Sequence, residues 1–180
     1  MTERFFNALE VLIIAAIILT ALSLQIFFGE SPCPLCLLQR LFMFGIGAAI
    51  ILNLKCGIRK RHYGLAIIAA IFGSIISLRQ IAFHVCPGSS KFGAPFWGIS
   101  LYTWALIIFA ISIVYNALMM VIFTQEGKHK LSWFDTLCVT LLFIAACINV
   151  GATLHHCGFG PCHEDAFKHP GEAFVVPTPD

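Results

Sequence analysis

Charge is scarce in this chain. Lys, Arg, Asp and Glu together make up 11% of its 180 residues, against 59% hydrophobic residues. A soluble globular domain carries about a quarter of its residues charged, so that class is excluded. The sequence also lacks a basic patch interleaved with aromatics and a glycine loop of the kind that cradles phosphate. Nucleic acid and nucleotides are therefore not expected partners, and the formal net charge of +2 does not change this. Low-complexity tracts and internal repeats are missing too, which argues against a transporter built from duplicated halves.

What the chain has is apolar length. The mean hydropathy is +0.89, and a bilayer core takes about 20 apolar residues per helix. Five stretches reach that length: roughly 9–28, 35–54, 63–83, 99–123 and 134–154. The first is too long for a cleaved signal peptide, lacks a small-residue cleavage site and runs almost directly into the second. The expected fold is all-α, a polytopic membrane helical bundle. One transmembrane domain is expected over 1–163, and an irregular, mobile tail over 164–180, where Pro170, Pro177 and Pro179 fall.

Lys and Arg set the orientation. Arg4 precedes span one; Lys55, Arg59, Lys60 and Arg61 fill the loop between spans two and three; Lys128 and Lys130 lie between spans four and five. The opposite side holds only Lys91 and Lys168. The N-terminus is expected in the cytoplasm and the C-terminus outside. Cys33, Cys36, Cys86, Cys157 and Cys162 then share the outer face, where disulfides persist. Cys56 falls on the cytoplasmic side, as suits a free thiol. Cys138 and Cys147 lie on opposite faces of span five and read as small packing residues.

The densest chemistry is Cys33-Pro34-Leu35-Cys36-Leu37-Leu38-Gln39-Arg40. A Cys-x-x-Cys pair exchanges a disulfide for two thiols. Proline suits the first position of a helix, so Cys33 is the expected cap and Pro34 the start. Both sulfurs then lie near free backbone N–H groups and the positive end of the helix dipole, which favours thiolate. Arg40 follows Cys36 by one turn, about 6 Å deeper. An intramembrane arginine is costly unless it has a function. Here it can stabilise a thiolate, or an electron acceptor gaining negative charge, with Gln39 beside it. Snorkelling of Arg40 to headgroups, and half of a zinc site for the two cysteines, are the plainer readings.

A second cluster, His155-His156-Cys157-Gly158-Phe159-Gly160-Pro161-Cys162-His163, stands where span five emerges. Its glycines and proline let the chain turn, so the two cysteines can reach the roughly 5.5–6 Å Cα separation of a disulfide. A redox-active pair is the first reading, a static staple of the tail the second, and a Cys/His metal site the third. Arg79 and His84 mark the outer end of span three. Should that end face the same interior as Arg40, they would form a polar pocket at headgroup depth.

These residues resemble the disulfide-bond formation protein B (DsbB) family of quinone-reducing membrane oxidases. The resemblance rests on Cys33 to Arg40, the basic loop after span two, Arg79 to His84, and Gly98-Ile99-Ser100-Leu101-Tyr102-Thr103-Trp104 opening span four. It implies a four-helix core, here with a fifth transmembrane helix, in a bacterial inner membrane. It further implies that Cys33 and Cys36 pass electrons to ubiquinone or menaquinone. Arg40 matches the family's quinone-site arginine, and His84 a histidine near the quinone; Gln39 and Arg79 complete the expected cofactor-binding set. The implied protein partner is a periplasmic thioredoxin-fold oxidase resembling DsbA. One departure stands out: the second cysteine pair of better-known members lies between spans three and four, where this chain has only Cys86. Cys157 and Cys162 are expected to replace it, as in a five-span subgroup.

Two other readings compete. One is a metal-binding or transport protein using Cys33, Cys36, Cys157, Cys162 and the nearby histidines. The other is a vitamin K epoxide reductase-like enzyme, whose Cys-x-x-Cys is expected later in the bundle.

Overall fold

The computed structural model describes residues 2–28, 33–85, 98–122 and 132–157. They form five helices: α1 (Thr2–Phe28), α2 (Pro34–Cys56), α3 (Lys60–Val85), α4 (Leu101–Ile122) and α5 (Trp133–Cys157). Each is long and apolar enough to cross a membrane. The protein is thus an all-α, multi-pass membrane bundle. Cys86, Cys162 and the tail 164–180 lie outside the described residues, as do the side chains of His84, His156 and Cys157.

The helix ends follow from local chemistry. Cys33 caps α2 with extended backbone, and Pro34 opens the first turn, where its missing N–H would have had no helical acceptor. At the other end Gly57 takes φ 91°, a conformation that stops the helix and suits glycine. Asp135 caps the start of α5, its Oδ2 accepting from the Ser132 amide at 2.9 Å, while the Ser132 carbonyl accepts from the Thr136 amide. Asp135 also takes an ion pair from Arg4 at 2.6 Å, and Phe5 stacks on Phe134 with centroids 5.9 Å apart. The first turns of α1 and α5 are thereby joined, and the two helices run parallel.

Helix α2 packs between α1 and α3, α4 packs on α3, and α5 lies along α1 and touches α2. Side chains close the circuit from α4 to α1: Tyr115 donates to the Phe6 carbonyl at 3.1 Å, and Asn116 Nδ2 donates to Glu10 Oε1 at 2.6 Å. In lipid, helices associate by close packing and hydrogen bonds rather than by the hydrophobic effect. The small residues show where. Gly45 packs on Ala69 of α3, Gly47 on Leu142 of α5, and Gly73 on the Phe109 ring of α4. The three glycines serve three different interfaces, and spans two and three are closely packed. Outward faces such as Ile68, Phe72, Ile75 and Leu78 on α3 are exposed and apolar.

A buried polar network ties the end of the bundle away from Cys33. Asn7 Nδ2 donates to Tyr63 Oη at 2.8 Å, and Asn53 Nδ2 donates to Asn7 Oδ1 at 3.2 Å. Asn53 Oδ1 accepts from the Arg59 amide at 3.0 Å and from His62 Nδ1 at 2.8 Å. Composition alone did not point to this network. It fixes α1, α2 and α3 at one end and leaves the opposite end for the cysteine pair.

Candidate functional site

Cys33 and Cys36 form a disulfide across the first turn of α2, with Cα atoms 5.2 Å apart. A separation of 3 positions at a helix start brings the two sulfurs together without bending the helix, because Cys33 sits outside it as the cap. The Cys36 amide donates to Cys33 Sγ at 3.1 Å, so a sulfur fills the place that a Ser or Asp oxygen takes in an ordinary cap. Cys33 is buried and Cys36 half-buried.

Among the described residues, a side-chain donor to the pair comes from α3. Gln80 Nε2 lies 3.4 Å from both sulfurs, and Gln80 Oε1 accepts from Gln39 Nε2 at 2.8 Å. The sequence singled out Gln39 and passed over Gln80. A signal was present: Gly73, Ser77 and Gln80 stand at i, i+4 and i+7, one inward stripe of α3, and all three are buried.

Arg40 turns inward, not toward the headgroups. Its guanidinium donates to Gln25 Oε1 of α1 at 2.6 Å, to Asn149 Oδ1 of α5 at 3.4 Å and to the Ala21 carbonyl at 3.4 Å. All three acceptors are neutral, and among the described residues no carboxylate pairs with it. A charge inside the bundle needs hydrogen-bond partners, and it has them, yet no described residue supplies an opposite charge. In this oxidised state its hydrogen bonds go to α1 and α5, while Gln80 and the Cys36 amide serve the sulfurs.

Arg79 takes another direction. It is exposed, with its guanidinium over the Phe83 ring at 5.5 Å, and the fold does not bring it to Arg40. The backbone of His84 lies in the last turn of α3. Cys157 ends α5, and the register of α5 on α2 sets its depth. From the Arg40–Asn149 contact, Cys33 lies seven positions back and Cys157 eight positions on, about 10 Å and 12 Å of helix rise toward the same end. Among the described residues no three His, Cys, Asp or Glu side chains converge as metal ligands.

Comparison with known proteins decides the family. The sequence model described as "Disulfide bond formation protein DsbB" matches residues 3–119, more than half of the chain. The chain belongs to the DsbB family. Among similar proteins, a "Disulfide bond formation protein B 1" of Pseudomonas fluorescens is 31% identical, the match covering 62% of this chain and 86% of that protein. One of Pseudomonas putida with the same name is 30% identical with the same coverage. A "Disulfide bond formation protein B" of Chromobacterium violaceum is 40% identical over a shorter match, 37% of this chain and 43% of that protein. No solved structure matches. The DsbB match holds the cysteine pair, Arg40 and Gln80, and stops before α5. This is a membrane protein of disulfide formation, with helices consistent with the bacterial inner membrane.

Proposed function

We propose that the protein oxidises a periplasmic thioredoxin-fold partner resembling DsbA and passes the electrons through Cys33–Cys36 to a membrane quinone, ubiquinone or menaquinone. The N-terminus is cytoplasmic and the C-terminus periplasmic, with the basic loops inside. The observation that carries the reading is a disulfide capping α2 one turn above an arginine that faces the bundle interior and whose described partners are neutral.

The protein's own residues account for each transfer. A partner thiolate attacks the Cys157–Cys162 disulfide and ends as the partner's disulfide, leaving the tail as a dithiol. A tail thiolate then forms a bond to Cys33 Sγ; the Cys33–Cys36 bond breaks and its electron pair stays on Cys36. The second tail thiolate displaces Cys33, restoring Cys157–Cys162. The shared depth of Cys33 and the end of α5 supports this relay. Cys36, the deeper of the two, is the electron donor, and closure of Cys33–Cys36 releases two electrons and two protons. A quinone supplies the two-electron, two-proton acceptor and carries the electrons into the bilayer. The donor set suits a quinone oxygen: a guanidinium held by neutral described groups attracts an oxygen that gains negative charge. Arg40 and Gln39 are assigned to that site. His84 is assigned to its rim by position in α3, and Arg79, over Phe83, to the outer surface beside it.

The test is anaerobic incubation of the purified protein with a reduced thioredoxin-fold oxidase and a soluble quinone analogue, following quinone absorbance and partner thiols together. Loss of one quinone per partner disulfide formed is expected. Partner thiols that stay reduced while the quinone stays oxidised would overturn the reading.

A further inference from the structure

We infer that Gln80 is a catalytic residue of disulfide exchange, its side-chain N–H groups holding the sulfur that leaves as a thiolate when Cys33–Cys36 opens. The inference rests on the exchange chemistry proposed above and adds a residue to it.

The geometry is specific. One amide nitrogen lies 3.4 Å from Cys33 Sγ and 3.4 Å from Cys36 Sγ, so it is within reach of either sulfur, whichever is attacked. A glutamine can present its oxygen as readily as its nitrogen, and an oxygen here would repel a thiolate. Gln39 removes that choice: its Nε2 donates to Gln80 Oε1 at 2.8 Å, which pins the oxygen away from the sulfurs and turns the nitrogen toward them. Gln39 is thus a positioning residue for Gln80. Both side chains are buried, Gln80 at 3% and Gln39 at 5% exposure, so water competes little for either group.

The interaction grows as the reaction proceeds. A disulfide sulfur is a weak acceptor and a thiolate a strong one, so a donor fixed in place beforehand favours the charged state over the resting one. When an incoming thiolate bonds to Cys33 Sγ, the S–S bond breaks and its electron pair remains on Cys36, whose described side-chain donor is Gln80. When the same pair is attacked at Cys36, the leaving Cys33 Sγ has Gln80 and the Cys36 amide. The attacking thiol has already given up its proton, so nothing further is required to balance the step. The fold supplies this donor through the inward stripe of α3, and Arg40 is left for the acceptor.

The experiment reads the pair alone, with dithiothreitol and glutathione buffers in place of quinone and partner. Gln80→Leu, Gln80→Glu and Gln39→Leu are compared with the parent protein in Cys157→Ser/Cys162→Ser background, scoring alkylation of the reduced pair against pH and its equilibrium with the buffer. Gln80→Leu is expected to move the alkylation midpoint up and shift the equilibrium about tenfold toward the disulfide, about 30 mV for two electrons. Gln80→Glu moves both further in the same direction, because a carboxylate repels thiolate. Gln39→Leu moves both less, because the freed amide turns over, and it reads the same interaction should a Gln80 variant fail to insert. Profiles and equilibria that superimpose on the parent in every variant that inserts would overturn the inference. A parent protein that never reduces quinone would instead count against the proposed function and leave the Gln80 result standing.

Discussion

Arg40 donates a 2.6 Å hydrogen bond to Gln25 Oε1, so a full charge inside the bundle is met by a neutral amide. A carboxylate at that position would satisfy the guanidinium better and silence it. Gln25 lets the fold hold Arg40 in place and keep its charge available.

Gln25→Glu therefore tests the electrostatics without removing the arginine. It creates a buried ion pair of nearly the same shape, so the bundle is expected to stay folded while the electron acceptor loses its attraction. Quinone reduction is expected to fall by at least about tenfold, since charge-stabilising groups in dry sites contribute several kcal/mol. Turnover with a soluble quinone, measured beside the melting temperature in detergent, separates this from unfolding.

The tail cysteines are tested by separating the two halves of the reaction. With Cys157→Ser and Cys162→Ser, oxidation of the thioredoxin-fold partner is expected to stop while quinone reduction by small dithiols continues. Full partner oxidation in that variant would mean direct attack on Cys33–Cys36.

Asp135 joins two functions, capping α5 and pairing with Arg4. Asp135→Ala removes both and strands a largely buried guanidinium, so a loss of about 2–3 kcal/mol is expected. Arg4→Met should lose less, because the cap survives. Denaturant or thermal unfolding of both variants checks the order.

Gly73 faces the Phe109 ring so closely that a methyl group has no room. Gly73→Ala is expected to destabilise the α3–α4 contact by about 1–3 kcal/mol, and Phe109→Leu in the same chain to recover part of that. Unfolding of the single and double variants measures the coupling.

Much of this was legible in the sequence, for identifiable reasons. Apolar length gave five helices because backbone hydrogen bonds in lipid leave few other options. The Cys33–Cys36 cap was readable because proline fixes where a helix begins. The inward turn of Arg40 was one of two readings, and the choice between them needed acceptors from α1 and α5 that lie far away in sequence. Arg79 and Gln80 are adjacent, yet helix rotation of 100° per residue sends them to different faces. Charge drew attention to Arg79, whereas the stripe through Gly73 and Ser77 places Gln80 at the sulfurs. The network around Asn53 was hidden for a similar reason: isolated Asn and His residues in three spans carry no local pattern, and only packing unites them.

The central claim is that Arg40 stabilises negative charge on the electron acceptor. Single-turnover reduction of a quinone analogue by the pre-reduced Cys33/Cys36 pair tests it most directly, in parent and Arg40→Gln proteins, with partner affinity measured in parallel. The account predicts a rate lower by about two orders of magnitude with partner affinity unchanged. An unaltered rate in Arg40→Gln would contradict it.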